Sequence, residues 1–193
     1  ALREHVHGLV KYREDEDDDE DENLALADPI LGKIIDNQYQ IRKKVGEGGQ
    51  GTVYLATDIK INKQVAIKII KPGTDTKSVL RRFSNEQKTL SLMNHSGIAK
   101  IFNAGYFENQ RPYFAMEYVP GLPITEFCDK KQLNIKSRIE LFIKVCNAVQ
   151  YAHSMAVIHR DLKPGNVLVH YEGADISIKI IDFGPLTLRK VKF

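Results

Sequence analysis

Eight consecutive residues, His159-Arg160-Asp161-Leu162-Lys163-Pro164-Gly165-Asn166, set a carboxylate, an ammonium and a carboxamide in one loop between apolar runs. Asp161 can accept a proton from a hydroxyl, Lys163 can neutralise a phosphoryl oxygen, and Asn166 can hold a metal. Sixteen residues after Asn166 comes Asp182-Phe183-Gly184, a second carboxylate at the end of an apolar, strand-like run. If the two segments act together, the fold has to bring them to one place. That requirement limits how everything upstream can be arranged.

At 193 residues the chain has room for one domain or two small lobes, and 42% hydrophobic with 27% charged residues is ordinary for a globular protein. No apolar run approaches the ~20 residues that span a bilayer, and the start lacks a basic-then-apolar leader. Cys128 and Cys146 stand apart without metal spacing, which fits two structural thiols in a reducing cytoplasmic setting. The first residue is Ala, as expected of a processed chain or a fragment.

The net charge of +3 conceals an asymmetry: residues 1–38 carry 4 basic and 12 acidic side chains, and residues 39–193 carry 24 and 13. A basic body suits nucleic acid, a polyanionic nucleotide, or no specific partner. No Lys/Arg stripe with interleaved aromatics is present, so nucleic acid is not the expected main partner. Glu14 to Glu22 are nine consecutive acids, which repel one another and bury nothing. They read as a solvated, disordered tail; the alternative is a pseudo-ligand that covers the basic body. Asp28 to Asn37 reads as a linker. Residues 1–38 are expected to be tail and linker, with the fold running from Tyr39 onward.

From Tyr39 the pattern becomes strand-like. Tyr39, Ile41 and Val45 alternate with polar residues up to Gly46, Thr52 to Thr57 forms a second strand, and Gln64 to Ile70 a third. On the third, Val65, Ile67 and Ile69 share one face and Ala66, Lys68 and Ile70 the other. Lys68 beside small Ala66 leaves room for a flat ring. Lys77 to Met93 reads as a helix with Val79, Phe83, Glu86 and Leu90 on one face. Glu86 is an acid in that apolar stripe and needs a partner. Two more strands follow, Gly97 to Phe107 and Arg111 to Val119, then punctuation at Pro120, Gly121 and Pro123. Ser137 to Ser154 reads as a helix burying Leu141, Phe142, Val145, Cys146, Val149 and Ala152. Val167 to Val169 and Ile176 to Ile181 form a strand pair about a turn at Glu172-Gly173.

Gly46-Glu47-Gly48-Gly49-Gln50-Gly51-Thr52-Val53 joins the first two strands. Glycines let backbone amides approach phosphate oxygens, although a Gly-rich hairpin is often only a turn. A dinucleotide-binding loop would be followed by a helix, and here a strand follows. Val65-Ala66-Ile67-Lys68 supplies a strand lysine, and Glu86, eighteen residues on, the matching carboxylate.

Taken in order, the glycine loop, the strand lysine, Glu86, the Asp161 loop and Asp182-Phe183-Gly184 resemble the eukaryotic-like (Hanks-type) serine/threonine protein kinases, especially bacterial ones. The resemblance covers about Tyr39 to Gly184. It implies an α+β fold: a complete small lobe over 39–119, with a five-stranded antiparallel sheet and one helix, followed by a partial, mostly helical large lobe over 120–193. It implies ATP and Mg²⁺ as cofactors and a protein bearing Ser or Thr as substrate. Asp161, Lys163, Lys68 and Glu86 take the catalytic positions, and Asn166 and Asp182 the metal positions. The nucleotide positions are Gly46, Gly48, Gly51, Val53, Ala66, Lys68, Met116, Glu117, Val119 and Leu168, with Met116-Glu117-Tyr118-Val119 joining the lobes. By residue type alone that last stretch is equally an edge strand. His159 and Phe183 resemble packed residues beneath the site.

Only nine residues follow Gly184, and they do not read like the family's activation segment. The resemblance thus implies a truncated kinase domain, with an apolar face of the Ser137 to Ser154 helix left uncovered. A non-catalytic nucleotide-binding or scaffold module is the second reading.

Overall fold

The computed structural model describes residues 28–49, 51–71, 93–108, 111–173 and 175–183. The predicted helix from Lys77 to Met93, with Glu86, and the acidic run lie outside these residues, except that Met93 itself is described.

Antiparallel strands build the first layer: β1 (Ile34–Ile35), β2 (Tyr39–Glu47), β3 (Gly51–Asp58), β4 (Lys63–Ile70), β5 (Ile101–Phe107) and β6 (Arg111–Glu117). They form a six-stranded sheet in the order β1-β2-β3-β4-β6-β5. The alternation read from β4 holds. Val65, Ile67 and Ile69 enter the apolar core with Tyr39, Ile41, Tyr54 and Tyr113, while Ala66 and Lys68 face the opposite side. Two register shifts in the β2–β3 pair, between Ile41 and Lys43 and between Lys44 and Gly46, bend this hairpin.

The expected five strands are six, because the segment read as a linker joins the sheet. Ile34 and Ile35 pair with Gln40 and Tyr39, and Ile30 and Ile35 are buried in the sheet's core. Asp28 accepts from the Tyr54 hydroxyl at 2.9 Å, and Asp36 accepts from the Tyr113 hydroxyl. Asp28 and Asp36, in the segment read as a linker, are acceptors for buried phenols, which need a partner.

The second layer begins with β7 (Leu122–Pro123), followed by α1 (Ile124–Lys130) and α2 (Ile135–Ser154). A 3₁₀ turn (Pro164–Asn166) leads into β8 (Val167–Glu172), which pairs with β9 (Asp175–Ile180), giving a three-stranded sheet in the order β7-β8-β9. α2 starts two residues before the predicted Ser137, at an Asn134 cap that accepts from the Ser137 amide at 2.9 Å. Arg138 braces the α1–α2 connection by donating to the Leu133 and Cys128 carbonyls and to Asp129.

The buried stripe of α2 is Leu141, Val145, Ala148 and Ala152, spaced four, three and four. It packs with Phe127, Val167, Val169, Ile178, Ile180 and Phe183. The expectation that Phe142 and Cys146 share this stripe is corrected: each follows a buried residue by one position, about 100° round the helix, and both are exposed. Val149 is partly buried. Ile135, Ile139, Phe142 and Ile143 present an open apolar face, as the resemblance leads one to expect.

Candidate active site

A cleft of about 610 Å³ lies between the two layers, within the range usual for small-molecule sites. Every predicted site residue that the structure describes lines it; Glu86 lies outside the described residues. The β2–β3 turn brings Gly46, Gly48, Gly51 and Val53; β4 brings Ala66 and Lys68; β6 and the following segment bring Met116, Glu117 and Val119; the loop before β8 and β8 itself bring Asp161, Lys163, Asn166 and Leu168; the end of β9 brings Asp182.

Lys68 Nζ lies 2.8 Å from Asp182 Oδ1, an ion pair between residues 114 positions apart. Lys68 is buried, and strand register fixes it between Val53 on β3 and Phe114 on β6. Asp182 takes a left-handed backbone, φ 60°, as does Arg160, φ 67°. Non-glycine residues adopt this conformation at a cost, and it recurs where a side chain has to be aimed.

Around Asp161 the loop is internally bonded. Lys163 Nζ donates to Asp161 Oδ2 at 2.9 Å. Asn166 Nδ2 donates to the Asp161 carbonyl at 2.9 Å and reaches Oδ2 at 3.4 Å. The 3₁₀ turn is closed by Asn166 N to Lys163 O at 2.9 Å, and Ile181 N donates to Asn166 O at 2.9 Å, joining this loop to the end of β9. Beneath lies His159, buried and edge-on to Phe183 with ring centroids 4.5 Å apart. The Asp161 amide donates to His159 Nδ1 at 3.3 Å, so Nε2 carries the hydrogen donated to the Ile181 carbonyl at 2.9 Å. One histidine thus holds both the Asp161 turn and the run into Asp182.

The hydrogen bond from the Lys163 ammonium holds the Asp161 carboxyl below its ordinary value of 3.8; desolvation opposes it, and the Lys163 charge and the Asn166 hydrogen bond add to the lowering. Such a carboxylate is ionised at neutral pH and is a weak base; it suits orienting a hydroxyl and receiving its proton late, more than early abstraction.

The donor chemistry fits a hard divalent cation. Among the described residues there is no group of three or more His, Cys, Asp or Glu that could form an all-protein cage. Asp182 gives one oxygen to Lys68 and keeps the other. Asn166 commits its amide nitrogen to Asp161, which leaves its amide oxygen for the cleft. One carboxylate and one amide oxygen are what Mg²⁺ takes when phosphate oxygens and waters complete its shell.

Two features of the site were missed in the sequence. Gly51 is required by packing as well as by the loop: a Cβ there would sit 2.3 Å from the Ile69 carbonyl oxygen, whereas one on Gly46 or Gly48 would meet nothing within 4 Å. Glu117 does line the cleft, but its carboxylate is committed to Lys179, with Nζ at 2.8 Å from Oε1. A lysine between Ile178 and Ile180 in an apolar strand needs a partner by the same reasoning applied to Glu86, and that signal was available.

Comparison with known proteins agrees with this geometry. The family model described as "Protein kinase domain" matches residues 39–190. Serine/threonine-protein kinase PrkC of Bacillus subtilis is 35% identical over 160 residues, covering 82% of this chain and 24% of that protein. Serine/threonine-protein kinase PknA of Mycobacterium tuberculosis is 30% identical over 162 residues, covering 81% of this chain and 37% of that protein. The chain therefore spans well under two thirds of either relative. In fold it is similar to the crystal structure of the Mycobacterium tuberculosis PknI kinase domain, at TM-score 0.69 and 24% identity over 82% of this chain and 64% of that one. With a family model matching most of its length and its glycine loop, strand lysine, Asp161 loop and Asp182 gathered in one cleft, the chain belongs to the protein kinase family, in its bacterial (Hanks-type) serine/threonine branch.

Proposed function

We propose that the cleft binds ATP with Mg²⁺ and transfers the terminal phosphoryl group to Ser or Thr hydroxyls of a protein, in the cytoplasm. The observation that carries this reading is the Lys68–Asp182 contact at 2.8 Å, set in the same cleft as Asp161 and Asn166. It joins a phosphate-binding cation to a metal-binding anion from opposite sides of the cleft. Lys68 orients the α- and β-phosphates. Asp182 and Asn166 hold Mg²⁺, which screens the charge of the phosphate oxygens. Asp161 orients the acceptor hydroxyl and takes its proton, and Lys163 offsets charge on the group in flight. The Gly46–Gly51 turn covers the phosphates, and the apolar walls of Val53, Ala66, Met116 and Leu168 leave a slot for a flat base. No helix among the described residues is long and apolar enough to cross a membrane.

The test is transfer of labelled phosphate from MgATP to a generic Ser/Thr protein acceptor, with nucleotide binding measured in parallel. Asp161→Ala is expected to abolish transfer while retaining binding, and Lys68→Ala to impair both. Transfer that survives both changes would refute the assignment. Binding without any transfer by the unaltered chain would favour the scaffold reading.

A further inference from the structure

Glu117 on β6 and Lys179 on β9 form a charged link between the two sheets. Lys179 Nζ lies 2.8 Å from Glu117 Oε1 and 2.9 Å from Oε2, so one ammonium engages both carboxylate oxygens. Only 12% of the Lys179 side chain and 27% of Glu117's are exposed. The Lys100 amide also donates to Glu117 Oε2 at 3.1 Å, and the Glu117 amide returns a bond to the Lys100 carbonyl at 2.8 Å. Glu117 is thus pinned on three sides.

The positions of the pair carry the inference. Glu117 ends β6 and directly follows Met116, at the end of the cleft assigned to the base. Lys179 lies on β9, three residues before Asp182, at the end assigned to the phosphates and cation. Beside them, Ile98 bridges Ile180 in parallel, with Ala99 N to Ile180 O at 3.0 Å and Ile180 N to Gly97 O at 2.8 Å. A Cβ on Gly97 would press on Ala148 at 3.0 Å and Ile178 at 3.1 Å. Residues 97–99 are therefore held on β9 by backbone bonds, and the bonds between Lys100 and Glu117, with the Glu117–Lys179 pair, extend that hold to β6.

An apolar pair of like volume would hold the layers together as well as a half-buried ion pair does. What such a pair cannot do is fix register through a two-pronged contact, or neutralise a carboxylate that lines a cleft meant for a polyanion. We propose that Glu117 and Lys179 form a positioning pair that sets the base-binding end of the cleft relative to Asp182 and keeps the Glu117 charge away from the phosphates. This rests on the reading of the cleft as a MgATP site.

The experiment compares affinities of the full chain for adenosine and for a non-hydrolysable MgATP analogue by titration calorimetry, with thermal unfolding as a fold control. For Lys179→Met, adenosine affinity is expected to stay within about twofold while affinity for the MgATP analogue falls about tenfold. Lys179→Arg, which keeps the charge, is expected to recover most of the loss. Glu117→Gln removes the two-pronged contact together with the charge, so on its own it is expected to lower affinity for the MgATP analogue, by less than Lys179→Met does, and to make Lys179→Met much less harmful when the two are combined. If Lys179→Met fails to fold, Lys179→Gln with the same two ligands decides. Equal loss for both ligands, or no loss for either, would overturn the positioning role. Unaltered chain that binds neither ligand would overturn the MgATP reading first, and the pair's role with it.

Discussion

The Tyr113 hydroxyl, on the second-to-last strand of the larger sheet, donates to the carboxylate of Asp36, 77 residues earlier in the chain. Tyr54 does the same to Asp28 at 2.9 Å. Together they fasten residues 28–37 to the sheet. Tyr113→Phe is expected to cost about 1.5–3 kcal/mol, the usual worth of a hydrogen bond to a charged acceptor, read as a shift in denaturant midpoint at constant slope. Burial, reinforced by Asp28, pushes the Tyr54 phenol up to about 12 from 10.0, and burial with Asp36 raises Tyr113 as well. A group that binds its proton more tightly when folded stabilises fully below its unfolded value and loses that contribution as pH rises through the folded one. Stability should therefore fall between about pH 10 and 12, and less steeply in Tyr54→Phe.

Gly51 and Gly48 should respond differently to the same change. Gly51→Ala forces a Cβ against the Ile69 carbonyl at 2.3 Å and is expected to destabilise by about 1–3 kcal/mol through backbone displacement. Gly48→Ala meets open space, so its unfolding midpoint should stay near that of the parent while nucleotide affinity drops. Equal midpoints for the two variants would contradict the packing argument.

Lys163 sets the acid limit of Asp161. Because the folded carboxyl lies below its ordinary value, it keeps its charge to lower pH and loses it only as pH falls through that depressed value. Lys163→Met removes the largest cause. The acid limb of the variant's pH–rate profile, scaled to its own plateau, is expected to move up toward the ordinary carboxylate range. A limb that stays in place would mean another group governs it.

The open face of α2 is the feature most exposed to solvent interactions. Ile135 is 78% exposed, Phe142 62%, Ile139 53% and Ile143 51%. Apolar area left in water forfeits about 25 cal/mol per Å², so the isolated chain should bind a hydrophobic dye and self-associate. Ile139→Lys with Phe142→Glu should weaken both tendencies while leaving stability within about 0.5 kcal/mol, as is usual for surface changes. A dye-silent monomer would contradict this.

Local periodicity carried much of the site in advance. The two faces of β4 follow from side-chain alternation alone, which is why Lys68 beside Ala66 is legible in the sequence. The loop from His159 to Asn166 was readable because its chemistry is contiguous. What escaped was set by distant partners. The segment from Asp28 to Asn37 has the composition of a linker, and only Tyr54 and Tyr113 make it part of the sheet. Gly51 looked like a phosphate-loop glycine because the carbonyl that forbids a side chain there belongs to the neighbouring strand. The Ile124–Lys130 helix is seven residues long, starts after Pro123 without a side-chain cap, and is too short to show a period. On α2, Phe142 and Leu141 are equally apolar, and which one faces β9 was decided by packing.

The central claim is that Lys68 and Asp182 serve one triphosphate and its divalent ion. The most direct measurement is a double-mutant cycle on ATP affinity, with and without Mg²⁺, using Lys68→Met, Asp182→Asn and both together. The account predicts that Mg²⁺ strengthens binding to the parent chain, that Asp182→Asn removes most of this gain, and that the two substitutions are non-additive by more than about 0.5 kcal/mol. Affinity indifferent to Mg²⁺ in every variant, with strictly additive losses, would contradict it.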